Sequence, residues 1–410
     1  MIGAMAMDLG PTIVIGAGPA GLAASHELQQ AGVDHIVLER GRVGQSWRDR
    51  WDSFCLVTPN WYLQLPGGGY DGDDPDGFMA RDEVVAHLDR YAAGFGAPVL
   101  DQVDVTAVHA GPGGGFLVDT SVGQMRTGEL VVATGAFQRP HRPPDAGLPA
   151  DLLAIDSVDY ANPDELPPGG VLVVGSGQTG CQIADELHRS GRDVVLACGK
   201  AGWAPRRVDG RDIVSWLVQT PFLEQTLADL PSPLARLAAN FQTSGRERGR
   251  DLNYRTLLAD GVQLTGRLLG ADGGSIRFAD DLDESVAWGD ARYADIGNLL
   301  DQAAREHGAP APDLPPPPPF QAPALDAVGA RDLGAVVFTS GYRPAYRDWL
   351  HFPEAFDEVG FPLQRDGAST VVPGLCFIGT HFLRKRKSST LFGMGEDAAI
   401  VAAHLAGRPR

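Results

Sequence analysis

The sequence predicts an α/β protein built from two βαβ units, one of which interrupts the other. A glycine-rich turn, GAGPAG at 16–21, follows the apolar run TIVI, and a second turn, GSGQTG at 175–180, follows GGVLVV. Proline-rich stretches, RPHRPPDAGLP and APAPDLPPPPPFQAP (309–323), separate the units. We therefore expect two Rossmann-type dinucleotide-binding domains, the first split into residues 1–165 and 326–410 by a second at 166–325.

The first unit spans residues 12–39. The run TIVI predicts a buried strand, LAASHELQQAG a helix that ends at Gly32, and HIVLER a second strand that ends in Glu39. Gly16 permits the tight turn, Gly18 lets the backbone approach a pyrophosphate, and Gly21 lets the helix pack closely on its strand. Glu39 stands 18 positions after Gly21, near the ~20 typical of an acid that binds a ribose diol.

The second unit repeats this order at 171–200. The helix CQIADELHRSG ends at Gly191, and the next strand, DVVLACGK, carries no acid at its tip. An acid there would repel a 2′-phosphate, whereas Lys200, Arg206 and Arg207 could pair with one, so the pattern favours NADPH over NADH. The alternative is that these cations form an ordinary solvated face.

The remaining segments predict a mixture of elements. We expect an amphipathic segment in RDEVVAHLDRYAAGF, a hairpin-like segment in FLVDTSVGQMRTGELVVATG, and a terminal helix in GEDAAIVAAHLAG. AVVFTSGYR and GLCFIGT read as short strands after the second proline-rich break. Residues 205–300 are the least regular, with at least one helix expected, in RDIVSWLVQ, and a loop-rich remainder.

Composition restricts the partners. The 410 residues carry 34 basic and 52 acidic side chains, a formal charge of −18, which argues against nucleic acid or an anionic membrane as a partner. The four cysteines, at 55, 181, 198 and 376, form no CxxC pair, which fits a reducing compartment. No apolar run approaches a membrane span, so we expect a cytoplasmic protein. The basic run HFLRKRKSS (381–389) is expected to bind a pyrophosphate or an anionic substrate, or to be a solvated loop.

Two dinucleotide sites in one chain indicate hydride transfer from a nicotinamide to a tightly held flavin. The motifs GAGPAG, LER, GQSWRDRWDSF, VVATG, GSGQTG, FTSGYR and GLCFIGT occur in this order. In this respect the chain resembles the class B flavin-dependent monooxygenases, which include the flavin-containing monooxygenases and the plant indole-pyruvate monooxygenases. The resemblance covers nearly the whole chain, is weakest at 205–330, and implies a FAD domain interrupted by a smaller NADPH domain.

The resemblance also implies site residues. The FAD contacts would be Gly16, Gly18, Pro19, Ala20, Gly21, Glu39, Arg40, Ser46, Trp47, Val105, Ala133, Thr134, Gly135 and Gly379. The second turn, Gly175, Ser176, Gly177, Gln178, Thr179 and Gly180, would hold NADPH together with the three cations named above. The start of the helix in LFGMGEDA would direct its N–H groups at the flavin and stabilise negative charge on the reduced ring.

The chain departs from the flavin-containing monooxygenases in two places. Their signature F-x-G-x-x-x-H-x-x-x-(Y/F) corresponds to ADLLAIDSVDY (150–160), which keeps only Tyr160 of the four defined positions. Val57 stands where those enzymes place an asparagine near the oxygen-reactive carbon. Asn60 is a candidate catalytic substitute, and a turn-forming Pro-Asn is the alternative.

The reaction implied by the resemblance is reduction of FAD by NADPH, formation of a C4a-flavin (hydro)peroxide with O2, and transfer of one oxygen atom to a small amine, sulfur compound or carbonyl substrate. A flavin-dependent dehydrogenase or oxidase would use the same loops, and a non-catalytic nucleotide-binding partner is a third reading. The absence of a cysteine pair argues against disulfide reduction. The sequence indicates neither the substrate nor the oligomeric state.

Overall fold

The computed structural model describes residues 10–143, 147–238, 240–308 and 310–408. Its strands are β1 Thr12–Ile15, β2 His35–Leu38, β3 Gln64–Leu65, β4 Gly68–Gly69, β5 Val99–Leu100, β6 Val105–Ala110, β7 Phe116–Thr120, β8 Gly123–Thr127, β9 Leu130–Val132, β10 Arg139–Pro140, β11 Leu153–Asp156, β12 Gly170–Val174, β13 Val194–Ala197, β14 Arg207–Val208, β15 Arg211–Asp212, β16 Gln263–Thr265, β17 Leu268–Asp272, β18 Ser275–Phe278, β19 Ala327–Gly329, β20 Leu333–Phe338, β21 Tyr342–Arg343, β22 Gln364–Arg365, β23 Ala368–Ser369 and β24 Leu375–Phe377.

The helices are α1 Pro19–Gln30, α2 Gln45–Arg48, α3 Arg81–Phe95, α4 Gln178–Arg189, α5 Ile213–Leu217, α6 Arg246–Gly249, α7 Tyr254–Asp260, α8 Leu282–Glu306 and α9 Met394–Ala406. Within α6, Glu247 and Arg248 have positive φ, so this segment is a left-handed turn rather than a regular helix. In the described part of the chain, no helix is both long enough and apolar enough to cross a membrane.

The first unit is built on a seven-stranded sheet of order β22-β23-β24-β9-β1-β2-β5, whose strands from β24 to β5 run parallel. Strand β1 lies between β2 and β9 and is fully buried, as an apolar central strand of a parallel sheet should be. Helices α1 and α9 pack together on this sheet. The predicted first βαβ unit is confirmed, and the C-terminal residues complete its sheet through β24.

The second unit is built on a five-stranded parallel sheet of order β11-β20-β12-β13-β16. Two of its strands, β11 and β20, lie outside the range 166–325 expected from the proline-rich breaks. The strand in AVVFTSGYR therefore belongs to this second sheet, between β11 and β12, rather than to the returning part of the first unit. We propose residues 153–338 as the limits of the inserted unit, because strand pairing and not proline content defines a sheet.

The second proline-rich stretch does not form a boundary. Its carbonyl groups bind the inserted unit, because the Tyr293 hydroxyl donates to Pro315 O at 2.6 Å and Arg255 Nε donates to Pro318 O at 2.6 Å. The chain then adds β19 to β18 before it enters β20. The segment is an extended connector that lies on α8, inside the second unit.

Residues 205–300 contain an element that the sequence analysis missed. Helix α8 runs for 25 residues and buries Val286, Tyr293, Ile296 and Leu300 on one face. At Gly289 an added Cβ would stand 2.9 Å from Ala201 O, so the absence of a side chain lets the helix lie directly on the preceding loop. This segment therefore supplies a long helix where a loop-rich region was expected, and α5 confirms the helix expected in RDIVSWLVQ.

Candidate functional site

The first glycine loop has the geometry of a dinucleotide-binding turn. Gly16 has φ +102°, and a Cβ on Gly21 would stand 1.8 Å from Gly16 O. At Gly18, by contrast, an added Cβ would meet no atom within 4 Å. The turn therefore has no room for a side chain at Gly21, but there is open space at Gly18. Helix α1 begins at Pro19, directly after Gly18, and its first N–H groups are free to bind a ligand.

Glu39 fits a ribose-binding role. Its buried carboxylate accepts hydrogen bonds from Ala17 N at 2.8 Å and Gly41 N at 2.9 Å. Each carboxylate oxygen keeps a further lone pair, so the side chain is held in place and can still accept from ribose hydroxyl groups. The hydrogen bonds that hold the Glu39 carboxylate therefore support an adenine dinucleotide site independently of the glycine motif.

The other predicted FAD residues surround this loop. Ala133 O lies 2.8 Å from the position of a Gly16 Cβ, and a Cβ on Gly379 would stand 2.6 Å from Ala20 Cβ. Thr134 and Gly135 follow β9 directly, and Ser46 and Trp47 lie on α2, next to Gly44, whose N–H bonds Ala17 O at 2.9 Å. Arg40 is exposed beyond Glu39, and Val105 begins β6 opposite Thr120. Their contacts with FAD stay predictions.

The second glycine loop repeats the first almost atom for atom. Gly175 has φ +104°, and a Cβ on Gly180 would stand 1.9 Å from Gly175 O. Gly16 N donates to Leu38 O and Gly175 N donates to Ala197 O, so Cys198 is the structural equivalent of Glu39. Cys198 is fully buried and uncharged there, since burial raises the pKa of its thiol. No carboxylate therefore stands at this position of the second loop.

Two side chains from outside the second loop, Tyr254 and Gln242, close it, and the sequence analysis missed both. The Ser176 hydroxyl accepts from Gly199 N at 2.8 Å, and the buried hydroxyl of Tyr254 bonds both Ser176 Oγ and Gly199 O, the latter at 2.6 Å. Gln242 Nε2 donates to Ser176 O at 2.7 Å. Tyr254 lies on α7, far from the loop in sequence, and no local sequence motif predicts its contact with the loop.

The three predicted cations of the second unit fall in different environments. Lys200 is exposed, two residues past Cys198. The exposed Arg207 donates to Arg248 O at 2.6 Å and Gly249 O at 2.7 Å. Gln178 and Thr179 open helix α4 after Gly177, its N-cap.

The prediction for Arg206 needs a correction. Its guanidinium is buried, forms an ion pair with Asp212, and donates to Val57 O and Thr243 Oγ1, each at 2.8 Å. A buried charge needs such partners, and here they hold the inserted unit against the first unit. Arg206 is therefore a structural residue and does not face a 2′-phosphate.

The prediction for Asn60 also needs a correction. Its amide nitrogen donates to Asp74 O at 2.9 Å, and its amide oxygen accepts from Met79 N at 2.6 Å. Both halves of the buried amide are thus used to close the loop 60–79. The structure agrees with the alternative interpretation of Pro-Asn as a turn.

Three of the four cations in the basic segment 381–389 pair with acids, and the fourth, Arg386, donates to Gln225. Lys387 is buried and lies between Glu224, at 2.7 Å, and Glu396, while Lys385 pairs with the same two acids. Arg384 pairs with Asp397 at 3.0 Å. The segment therefore connects the inserted unit to the first turn of α9, and the expectation of a solvated or anion-binding loop is corrected.

The cysteines do not form a redox centre. All four are buried free thiols, and burial raises the pKa of each, that of Cys376 to about 12. The nucleophile in thiol–disulfide exchange is the thiolate, which these sites disfavour. Among the described residues, no group of three or more metal-ligating side chains occurs either.

The two segments that connect the units start beside the two glycine loops and then pair with each other. Segment 133–137 leaves β9 beside the first loop, and segment 339–343 leaves β20 beside the second, where Thr339 Oγ1 donates to Gly175 O at 2.6 Å. Gly135 and Gly341 have nearly equal φ, +82° and +84°. Strands β10 and β21 then pair antiparallel, so the two connections between the units run side by side.

This combination of two equivalent nucleotide loops and paired connections defines a two-dinucleotide oxidoreductase. The sequence profile of the pyridine nucleotide-disulphide oxidoreductase family matches residues 13–247, and the chain belongs to that family. A protein of Geobacillus kaustophilus called uncharacterized oxidoreductase CzcO-like is 30% identical over 95% of this chain and 96% of its own length. The uncharacterized oxidoreductase CzcO of Bacillus velezensis is 36% identical over 97% of this chain and 99% of its own length.

Solved structures show the same fold. A flavin monooxygenase mutant from Stenotrophomonas maltophilia superposes with a TM-score of 0.69 at 18% identity, covering 98% of this chain and 99% of that one. The ornithine N-hydroxylase of Kutzneria sp. 744 superposes with a TM-score of 0.64 at 16% identity, covering 97% and 99%. An indole-3-pyruvate monooxygenase of Oryza sativa is 31% identical over 46% of this chain and 48% of its own length. The resemblance to class B flavin-dependent monooxygenases is confirmed, and the chain is an FAD-dependent oxidoreductase.

Proposed function

We propose that the protein is an FAD- and NADPH-dependent monooxygenase that inserts one oxygen atom from O2 into a small amine, sulfur compound or carbonyl compound. The observation that carries the proposal is the pairing of β10 with β21, because it brings together the segments after β9 and β20, which start beside the first and the second glycine loop. Hydride transfer needs the nicotinamide and the flavin in contact, and FAD when bound supplies the redox chemistry with O2.

The chain's own residues bind and position the cofactors. Glu39 and the N-terminus of α1 would hold the adenosine and pyrophosphate of FAD, and the N-terminus of α4 would hold the pyrophosphate of NADPH. The described thiols offer no redox pair, which supports oxygen chemistry over disulfide reduction. The names of the flavin monooxygenase neighbours support the same choice.

NADPH is favoured over NADH by the charges at the second loop. Cys198 stands where Glu39 stands in the first loop, so no carboxylate opposes a 2′-phosphate, and the exposed Lys200 lies two residues beyond. The Lys200→Glu variant should raise the KM for NADPH about tenfold or more and leave the KM for NADH nearly unchanged. Arg90→Glu, on the exposed side of α3, changes the charge by the same two units and is the matched control. Equal effects on both nucleotides would contradict the assignment.

The decisive experiment uses the purified yellow holoprotein, NADPH and isotopically labelled dioxygen with a panel of thioethers, tertiary amines and ketones. A product that carries one labelled oxygen atom, formed with one NADPH consumed, is the expected result. Stoichiometric hydrogen peroxide with no labelled product from any panel member would instead support a flavin-dependent NADPH oxidase. NADPH turnover with an artificial acceptor but not with dioxygen would support a dehydrogenase.

A further inference from the structure

An exposed aromatic side chain marks the place where the two connections meet. Phe137 is 48% exposed and lies two residues past Gly135. Its ring contacts Tyr342, from the connection after β20, at a centroid distance of 5.4 Å, and His381, from the segment after Gly379, at 5.2 Å. An apolar ring left open at the junction of three cofactor-proximal segments suits the apolar body of a ligand.

Arg50 lies against the same ring. Its guanidinium stands 5.8 Å from the centroid of Phe54 and 5.9 Å from that of Phe137. In the part of the chain that the structure describes, no carboxylate lies within 4 Å of this guanidinium and none of its N–H groups has an acceptor. The two nearest arginines in sequence and space differ, since Arg48 pairs with Asp89 and Arg81 with Asp52.

His381 adds no charge next to Phe137. His381 contacts Phe137, and burial together with the charge of Arg236 lowers the pKa of its imidazole to about 4. The ring is therefore neutral near pH 7. The partly buried guanidinium of Arg50 thus keeps its five donors free of carboxylates in a protein with a net charge of −18, and a bidentate anion would satisfy them.

We propose that Arg50 binds the carboxylate of an apolar organic acid substrate, whose body lies against Phe137. The proposal rests on the proposed function, since it concerns the substrate of the same cleft. A phosphate of the nucleotide is the other anion that a guanidinium could bind. The flanking rings favour the organic acid, because the pyrophosphates would be bound by backbone amides at the N-termini of α1 and α4, where aromatic walls are not needed.

The test titrates the yellow holoprotein with benzoate and hexanoate, each against its neutral amide, and follows the perturbation of the flavin spectrum. In the unaltered protein at least one acid should bind tighter than its amide. Arg50→Gln should weaken that acid about tenfold, with no change in the amide or in NADP⁺. Arg90→Gln serves as the control for loss of one surface positive charge.

Three outcomes would overturn the proposal. These are acids that bind no better than their amides, an Arg50→Gln variant that loses affinity for NADP⁺ rather than for the acid, and equal losses in Arg50→Gln and Arg90→Gln. A Phe137→Leu variant should weaken benzoate more than hexanoate, and the reverse order would place the body of the ligand elsewhere. If Arg50→Gln stays yellow and oxidises NADPH, a failure of the acid-binding test leaves the proposed function unaffected. The two proposals can therefore fail separately.

Discussion

The glycine at the end of the first loop provides the sharpest test of the cofactor site. In Gly21→Ala the new methyl carbon would stand 1.8 Å from Gly16 O and 2.9 Å from the Gly16 carbonyl carbon. Carbon atoms in contact lie ~3.5–4.0 Å apart, so α1 or the turn must move by more than an ångström. Overpacking of this kind costs about 1–3 kcal/mol, and the movement displaces the N–H groups that would bind a pyrophosphate.

A loss of about 1–3 kcal/mol corresponds to a roughly 5- to 150-fold weaker Kd for FAD. We expect Gly21→Ala to purify with little bound flavin, measured by the ratio of visible to ultraviolet absorbance, and with a lower Tm. The control is Gly18→Ala, whose Cβ meets no protein atom within 4 Å. It should keep the apoprotein Tm but lose FAD affinity, because the methyl group occupies the space over which the pyrophosphate would lie. A Gly21→Ala protein with normal Tm and full flavin content would refute the reasoning.

Three further predictions follow from the same contacts. Gly180→Ala, whose Cβ would stand 1.9 Å from Gly175 O, should raise the KM for NADPH at least tenfold in a protein that stays yellow; loss of the flavin instead would count against separate sites. Glu39→Gln replaces one acceptor oxygen with a donor facing Ala17 N or Gly41 N, and should raise the Kd for FAD by about tenfold or more in fluorescence titration; an unchanged Kd would remove Glu39 from the site. Burial opposes ionisation of Glu224, but hydrogen bonds from Lys385 and Lys387 lower its pKa below 4.5. Its stabilising contribution is therefore present above the unfolded pKa and lost as pH falls through the folded value. Between about pH 6 and pH 3 the Tm of the unaltered protein should fall more than that of Glu224→Gln, and parallel curves would show that the ion pairs do not contribute.

The sequence by itself determined both nucleotide loops, their flanking strands and helices, and the acid at Glu39. These features depend on neighbours within about 30 residues, because a βαβ turn needs glycine at fixed offsets and an apolar strand on each side. The terminal helix and α3 were equally readable from their apolar periodicity. The segment recognised as amphipathic is helix α3, Arg81–Phe95.

Only the tertiary structure decided the features that join distant segments. Strand β20 lies between β11 and β12, and nothing in the letters of AVVF chooses a partner strand. Charge alone marked Arg206 and the basic segment as free cations, whereas folding brings Asp212 and Glu224 against them. The two half-sites become one cleft only because β10 pairs with β21, an interaction between residues about 200 positions apart along the chain.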